Sequence, residues 1–304
     1  MESGAGVNKK KAVEAWWAAN PQTYGDVHGQ TDYTDPSGER SSVALGTREG
    51  IEAADQTFYS WNRDLHRGGR PFARVFDYDR YAGQRVLEVG CGLGCMAMNW
   101  AQNGARVTAV DLNPVSVAMT RRRLGLFGLT GDVLQMDGER LSFADDSFDF
   151  VYSWGVLHHS QGTKRSIDEL HRVLKPGGSA AVMLYGRESC LYRYMIQYVE
   201  GFLHMERSFL TPLELASRYT DGYELEGNPH TWPITRREAR EVLFERFDRV
   251  RVDSIGGGVD AMLNRWFPRL GSHLMPRPLL RALDRRVGWS LWITGAKGSG
   301  PRRA

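Results

Sequence analysis

Three glycines at alternate positions, Gly90, Gly92 and Gly94, follow an apolar, strand-like run over residues 85–89, and an acid, Glu88, sits inside that run. A turn of this kind lets the backbone pass close to a ligand, because no Cβ blocks the approach. A helix opening directly after it aims its free amides at the same place. Two more acids close later runs of the same type: Asp111 after residues 106–110 and Asp137 after residues 132–136. The first carboxylate can accept from both hydroxyls of a ribose. The second can accept from an adenine amino group while the next amide, that of Gly138, donates to a ring nitrogen. A fourth run leads through Trp154 to paired imidazoles, His158 and His159, which can accept a proton near neutral pH. These residues predict a site for a nucleotide-type small molecule, with a proton acceptor beside it.

The glycines alone do not say which nucleotide. Dinucleotide folds place glycine or alanine at the last position of G-x-G-x-x-G. Counted from Gly90 that position is Cys95 and fails; counted from Gly92 it is Ala97 and passes. A nicotinamide or flavin stays open on the loop alone.

The elements that must position these groups alternate strand and helix. Leu93, Met96, Ala97, Trp100 and Ala101 recur at the period of a helix, and Gly104 reads as its cap. Asn113 before Pro114 supplies the next helix start. Ile167, Leu170 and Leu174 share one face of a later helix that ends in Lys175, Pro176, Gly177, Gly178. A fifth strand is expected over 180–185, a sixth over 249–255 and a seventh over 289–294.

The stretches VLEVGCGLG, VTAVD, DSFDFVYSWGVLHH and HRVLKPGG, in this order, resemble class I S-adenosylmethionine-dependent methyltransferases. The similarity is to the branch that includes ubiquinone and menaquinone biosynthesis and many natural-product enzymes. It covers about residues 81–186 firmly. A dinucleotide site has no use for Glu88, the SFDFV strand or the KPGG turn. The resemblance implies an α/β, Rossmann-like fold with a seven-stranded, mostly parallel sheet and helices on both faces. It implies S-adenosylmethionine as methyl donor, leaving as S-adenosylhomocysteine, held by Glu88, Gly90, Cys91, Gly92, Gly94, Asp111, Leu112, Asp137, Gly138 and Trp154. It places His158 and His159 at an acceptor pocket, where one serves as base or both brace the loop; without a histidine base, alignment alone or a residue such as Tyr185 or His204 is left. The acceptor is a small molecule methylated on O, N or C, in secondary-metabolite or quinone-type biosynthesis. Two other classes stay open: a silent donor-binding partner subunit, and a non-methylating enzyme on the same fold.

Composition excludes several alternatives. The chain has 304 residues, 41% of them hydrophobic, and a net charge of +3. Nucleic-acid surfaces carry a stronger, clustered excess. Arg121, Arg122 and Arg123 are scattered around a helix, and the arginines between 236 and 251 are diluted by acids; both groups read as solvated faces. Three cysteines, two of them in the glycine turn, suit neither a four-ligand zinc site nor a disulfide and read as small residues filling a tight loop. No metal is expected. With no long apolar run and no apolar leader, the expected setting is the cytoplasm.

The domain plan has a core over 81–297, with insertions near 187–232 and 256–288, and a disordered tail over 298–304. Residues 1–80 form a helical cap and lid: a helix over 11–19 with Trp16 and Trp17, a loop running to about Glu39, and a helix over 51–65. Tyr192, Tyr194, Tyr198 and Phe202 wall an acceptor site or simply pack. The arginine-rich 256–288 segment is a lid, a homodimer contact or a membrane-surface element, and its prolines weigh against the last.

Overall fold

The computed structural model describes residues 4–19, 30–34, 40–44, 46–221, 227–257, 259, 262–263, 267 and 275–299. Its centre is a seven-stranded sheet in the order β5-β4-β3-β6-β7-β9-β8. The strands are β3 (Arg85–Val89), β4 (Arg106–Asp111), β5 (Asp132–Gln135), β6 (Phe148–Trp154), β7 (Leu174–Tyr185), β8 (Asp248–Ser254) and β9 (Ser290–Ala296). Pairing is parallel from β5 through β7; β9 runs antiparallel to both of its neighbours. All seven expected strands form, and β3, β4, β5, β8 and β9 lie within two residues of their expected ends.

β7 begins at Leu174 rather than near Ala180, directly after the helix α5 (Thr163–Val173). Leu174 stands opposite Phe148 and Ser179 opposite Phe150. The Lys175–Gly178 residues therefore loop out of register, and Gly177 takes a φ of +80° that favours glycine. The terminator is real, but it interrupts a ladder rather than preceding one.

Parallel strands need cover on both faces, and β6, whose register shifts between Phe148 and Phe150, contributes to two cores. Phe150 and Tyr152 join Phe76, Tyr78, Trp100 and Trp292 on one face, all buried. Phe148 and Val151 join Ile167, Leu170, Leu184 and Phe244 on the other. Phe72, Phe76 and Tyr78 are almost wholly buried inside the first core, so the packed unit begins before Tyr81.

Around the sheet lie α1 (Gly4–Ala19), α2 (Arg48–Trp61), α3 (Cys95–Gln102) and α4 (Pro114–Leu126). Asn113 caps α4 as expected, accepting from the Val115 amide at 2.8 Å with Pro114 in the first turn. α1 starts earlier than expected, at Gly4, through a glycine-containing stretch of low helix propensity. The loop expected up to Glu39 contains β1 (Gln30–Thr34), paired antiparallel with β2 (Arg40–Ala44); Tyr24 lies outside the described residues.

One surface reading is corrected. Arg123 is 1% exposed and bound through both terminal nitrogens to Asp55 of α2, at 2.9 and 2.8 Å. Arg121 donates to the Val133 carbonyl and Arg122 to that of Gly46. Arg121 and Arg122 stay exposed, as expected, while fastening α4 to its surroundings; of the three, Arg123 alone departs from the solvated reading.

Candidate functional site

The direction of strand succession reverses on either side of β3, with β4 next to it on one side and β6 on the other. Ligands of open α/β sheets bind at such a reversal, beyond the carboxyl ends of the strands. A cavity of about 850 Å³ opens there.

At one end it is lined by Glu88, Gly90, Cys91, Gly92, Asp111, Leu112, Asp137, Gly138 and Trp154. Asp111 accepts from the amides of Gly92 and Asn113, each at 2.9 Å. Two bonds leave lone pairs on a carboxylate for further donors. Burial raises its pKa, while the Asn113 and Gly92 amides favour the charged form. Asp137 accepts from the Glu139 amide at 2.9 Å and is paired with Lys10 of α1. Lys10 was not singled out by the sequence: a lysine in a polar helix carries no signal until the helix is docked.

Glu88 is 2% exposed, and its Oε2 has no hydrogen-bond partner. Burial pushes its pKa up to about 8. A buried carboxyl with an unpartnered oxygen on a cavity wall leaves a hydrogen-bonding position for a polar group of a ligand.

The glycine turn is held by its neighbours. Thr120 of α4 donates to the Gly92 carbonyl at 2.9 Å, and Ser153 of β6 donates to the Val89 carbonyl at 2.7 Å. The glycines at its two ends are required by protein contacts. A Cβ on Gly90, at φ +82°, would lie 2.4 Å from a Val156 methyl, and one on Gly94, at φ +77°, 2.7 Å from Thr120. Gly94 does not line the cavity. The expectation that it touches the ligand is replaced by a packing role at the start of α3. Cys91 and Cys95 are buried free thiols, raised in pKa by burial.

At the other end the cavity is lined by His159, Tyr185, Asp221, Trp17, Trp289 and the Arg277–Val287 helix through Leu280, Arg281, Asp284 and Arg285. The two histidines separate. They sit in a 3₁₀ turn, Leu157–His159, not an extended exit. His158 is wholly buried, lies off the cavity, and stacks on Tyr185 with ring centres 3.8 Å apart. Burial, with His159 alongside, holds its pKa well below the usual imidazole range. His158 is thus removed from direct contact with the acceptor space. His159 reaches the cavity. Its Nδ1 lies 2.8 Å from the His230 carbonyl, which can only accept, so Nδ1 carries the proton and Nε2 the lone pair. Nε2 faces Asp221 Oδ2 at 3.5 Å, and the Tyr185 hydroxyl donates to Asp221 Oδ1 at 2.6 Å. Burial lowers the His159 pKa, opposed by Asp221.

Asp221 was missed, since an acid in a loop after a short helix has no periodicity to mark it. Trp17 lies 4.9 Å from the His159 ring, so the α1 aromatic pair serves the site through one member. Tyr194, Tyr198 and Phe202 stack on one another on the outside of the Leu191–Leu203 helix and do not line the cavity; only Tyr192 of that group is buried. His204 is exposed and paired with Glu200.

Residues 87–182 match the family model described as a methyltransferase domain. The chain is 30% identical over 204 residues to a demethylmenaquinone methyltransferase of Clavibacter sepedonicus, covering 65% of this chain and 78% of that relative. This chain belongs to the class I S-adenosylmethionine-dependent methyltransferases. A ubiquinone biosynthesis O-methyltransferase of Pseudomonas aeruginosa is 30% identical over 144 residues, covering 45% of this chain and 62% of the relative; the chain thus spans under two thirds of that relative's length. The crystal structure of the cyclase SpnF shares the fold, with a TM-score of 0.51 at 18% identity and 96% coverage of each chain. The seven-stranded, mostly parallel sheet matches the fold of this family. Among the described residues, no helix is long and apolar enough to cross a membrane.

Proposed function

We propose that this chain transfers a methyl group from S-adenosylmethionine to a small-molecule acceptor. The observation that carries this reading is the set of acids lining the cavity: buried Glu88 with an unpartnered oxygen, Asp111 with lone pairs to spare, and Asp137 beside the Gly138 amide. Asp111 would hold the ribose hydroxyls, Asp137 and Gly138 the adenine edge, and Glu88 a donor of the amino-acid portion. Gly90, Cys91, Gly92, Leu112 and Trp154 would complete the wall. When bound, the donor supplies a methyl on a positively charged sulfur, already activated for displacement. The chain's own work is to exclude water, to align the acceptor, which by itself can be worth ~7–11 kcal/mol, and to take up a proton if the acceptor carries one. His159 is the residue placed for that last task.

The acceptor is read as a product of secondary-metabolite or quinone-type biosynthesis, on the names of the relatives. The buried thiols of Cys91 and Cys95, which form no disulfide, suit a reducing, cytoplasmic setting. The contacts of the Arg277–Val287 helix with the cavity, and of its Arg281 with Asp64 at 3.7 Å, support a lid role for this part of the 256–288 segment.

Calorimetry tests the donor reading. S-adenosylhomocysteine should bind with one site per chain and NADH should not bind. NADH binding without S-adenosylhomocysteine binding overturns it.

A further inference from the structure

Among the described residues, one group of side chains brings together the ligand atoms of a metal site: His158, His159 and Asp221. One ligand atom from each lies within 4.8 Å of the other two. His159 Nε2 and Asp221 Oδ2 are 3.5 Å apart. Two ligands bound at about 2.0–2.2 Å to a tetrahedral zinc ion stand roughly 3.4 Å from each other. Both ring nitrogens of His158, Nε2 of His159 and Oδ2 of Asp221 are buried and have no hydrogen-bond partner among the described residues. Both imidazoles are more than nine-tenths buried.

We infer that His158, His159 and Asp221 form a binding site for a divalent zinc ion, with one nitrogen of each imidazole and one carboxylate oxygen as ligands and the fourth position open to the cavity. The groups behind the ligands are those that such a site needs. A ligating histidine gives its other ring N–H to a carbonyl or carboxylate, which fixes the tautomer and the ring. His159 does so through Nδ1, 2.8 Å from the His230 carbonyl, and its Nε2 keeps a lone pair. Asp221 is held in the same manner: the Tyr185 hydroxyl donates to Oδ1 at 2.6 Å and leaves Oδ2 for the ion. The His158 ring lies beside that of His159, with centres 4.2 Å apart, and closes the site from behind. His159 and Asp221 line the cavity, so an ion enters between them.

Charge points the same way. A ligating imidazole must be neutral, and burial holds both His158 and His159 below the ordinary imidazole range. Burial also raises the pKa of Asp221, opposed only by His159 and the Tyr185 hydroxyl. A buried carboxylate is stabilised by a paired cation or a metal. Imidazole and carboxylate together suit zinc, whereas magnesium and calcium favour oxygen ligands throughout. Three protein ligands with one open position make a site that can take up water or a ligand oxygen, not a closed structural one. Adjacent histidines with no carboxylate at ligand spacing carry no metal signal in the sequence; the third ligand arrives from the loop after the Pro212–Arg218 helix. An ion on Nε2 occupies the lone pair that would otherwise take up a proton, so the two uses of His159 exclude each other.

The test uses the full chain, treated with a chelator and then titrated with Zn²⁺ alone. Calorimetry should show one ion per chain with a dissociation constant of about 1 µM or below. His158→Ala and Asp221→Asn should each weaken binding by about 100-fold or more. His204→Ala, which removes an exposed histidine paired with Glu200, should leave it unchanged. In the native chain labelled with ¹⁵N-histidine, Zn²⁺ should move ring nitrogens of two of the eight histidines into the metal-bound range. That spectrum needs no variant, so a misfolded His158→Ala or Asp221→Asn leaves the test standing. Weaker binding than this by the native chain, affinity that survives either site variant or is lost with His204, or ring nitrogens that Zn²⁺ does not move, overturns the inference. Neither donor nor acceptor is present, so the outcome is independent of the methyl-transfer reading.

Discussion

The two ends of the cavity are built in opposite ways. The end assigned to the donor comes mainly from one continuous stretch, from Glu88 in β3 to Trp154 in β6, and most of its polar groups are tied to near neighbours. Asp111 is bonded to Gly92 and Asn113, and Asp137 to Glu139. The end assigned to the acceptor is gathered from α1, β7, the loop at Asp221 and the Arg277–Val287 helix. It keeps unpartnered polar atoms on His159 and Asp221. A conserved kind of ligand can be met by a rigid local frame. A variable one is met by side chains delivered from separate segments, where contacts can change without disturbing the sheet.

The largest expected effect separates the two histidines at the acceptor end. His159→Ala should lower turnover by about 10²–10⁴-fold while leaving S-adenosylhomocysteine affinity within twofold. His158→Ala should act chiefly on stability, because His158 packs on Tyr185 away from the cavity. Steady-state kinetics and calorimetry on both variants decide the matter. Equal turnover losses from the two, or none from His159→Ala, would erase the distinction.

The next effect asks how far the frame depends on buried charge. Arg123→Ala leaves Asp55 buried without its partner and should destabilise the fold by about 3–5 kcal/mol in urea unfolding. A change below about 1 kcal/mol would mean that water reaches Asp55.

Glu88 is the exception at the donor end, and its signature is pH dependence. Its folded pKa, near 8, lies above its ordinary value of 4.5. The folded state therefore holds a proton that the unfolded state has lost between those values. Its contribution to stability is full below about pH 4.5 and fades as pH rises towards 8, at up to about 1.4 kcal/mol per pH unit. Glu88→Gln keeps the neutral shape and should flatten that decline. Urea unfolding at pH 5.5 and pH 8.5 measures it; equal declines in both proteins would place the Glu88 charge in contact with solvent.

The smallest expected effect tests the frame as a binding surface. Asp111→Ala removes charge-assisted bonds worth roughly 1.5–3 kcal/mol each and should weaken S-adenosylhomocysteine binding at least tenfold. An unchanged dissociation constant would move the ribose contact elsewhere and make Asp111 a brace for Gly92 alone.

The sheet and the acids at its strand ends were legible in the sequence because their causes are local. Alternation and β-branching mark strands, Asn113-Pro114 marks a helix start, and an acid at a strand tip must face the crevice whatever else the chain does. The same local logic misjudged Gly94, whose missing Cβ makes room for Thr120, a residue of the next helix. It misread Arg123 too, because a charged residue reads as solvated until its partner, Asp55, is brought to it from α2. His159 could be nominated from its place after β6 but not told apart from His158. The division was decided by the His230 carbonyl, Tyr185 and Asp221, all distant in sequence. What the sequence determined by itself was the frame, whose rules act over a few residues. The pairing of His159 with Asp221 belongs to the tertiary structure alone, because lone pairs become unpartnered only when packing removes water from both at once.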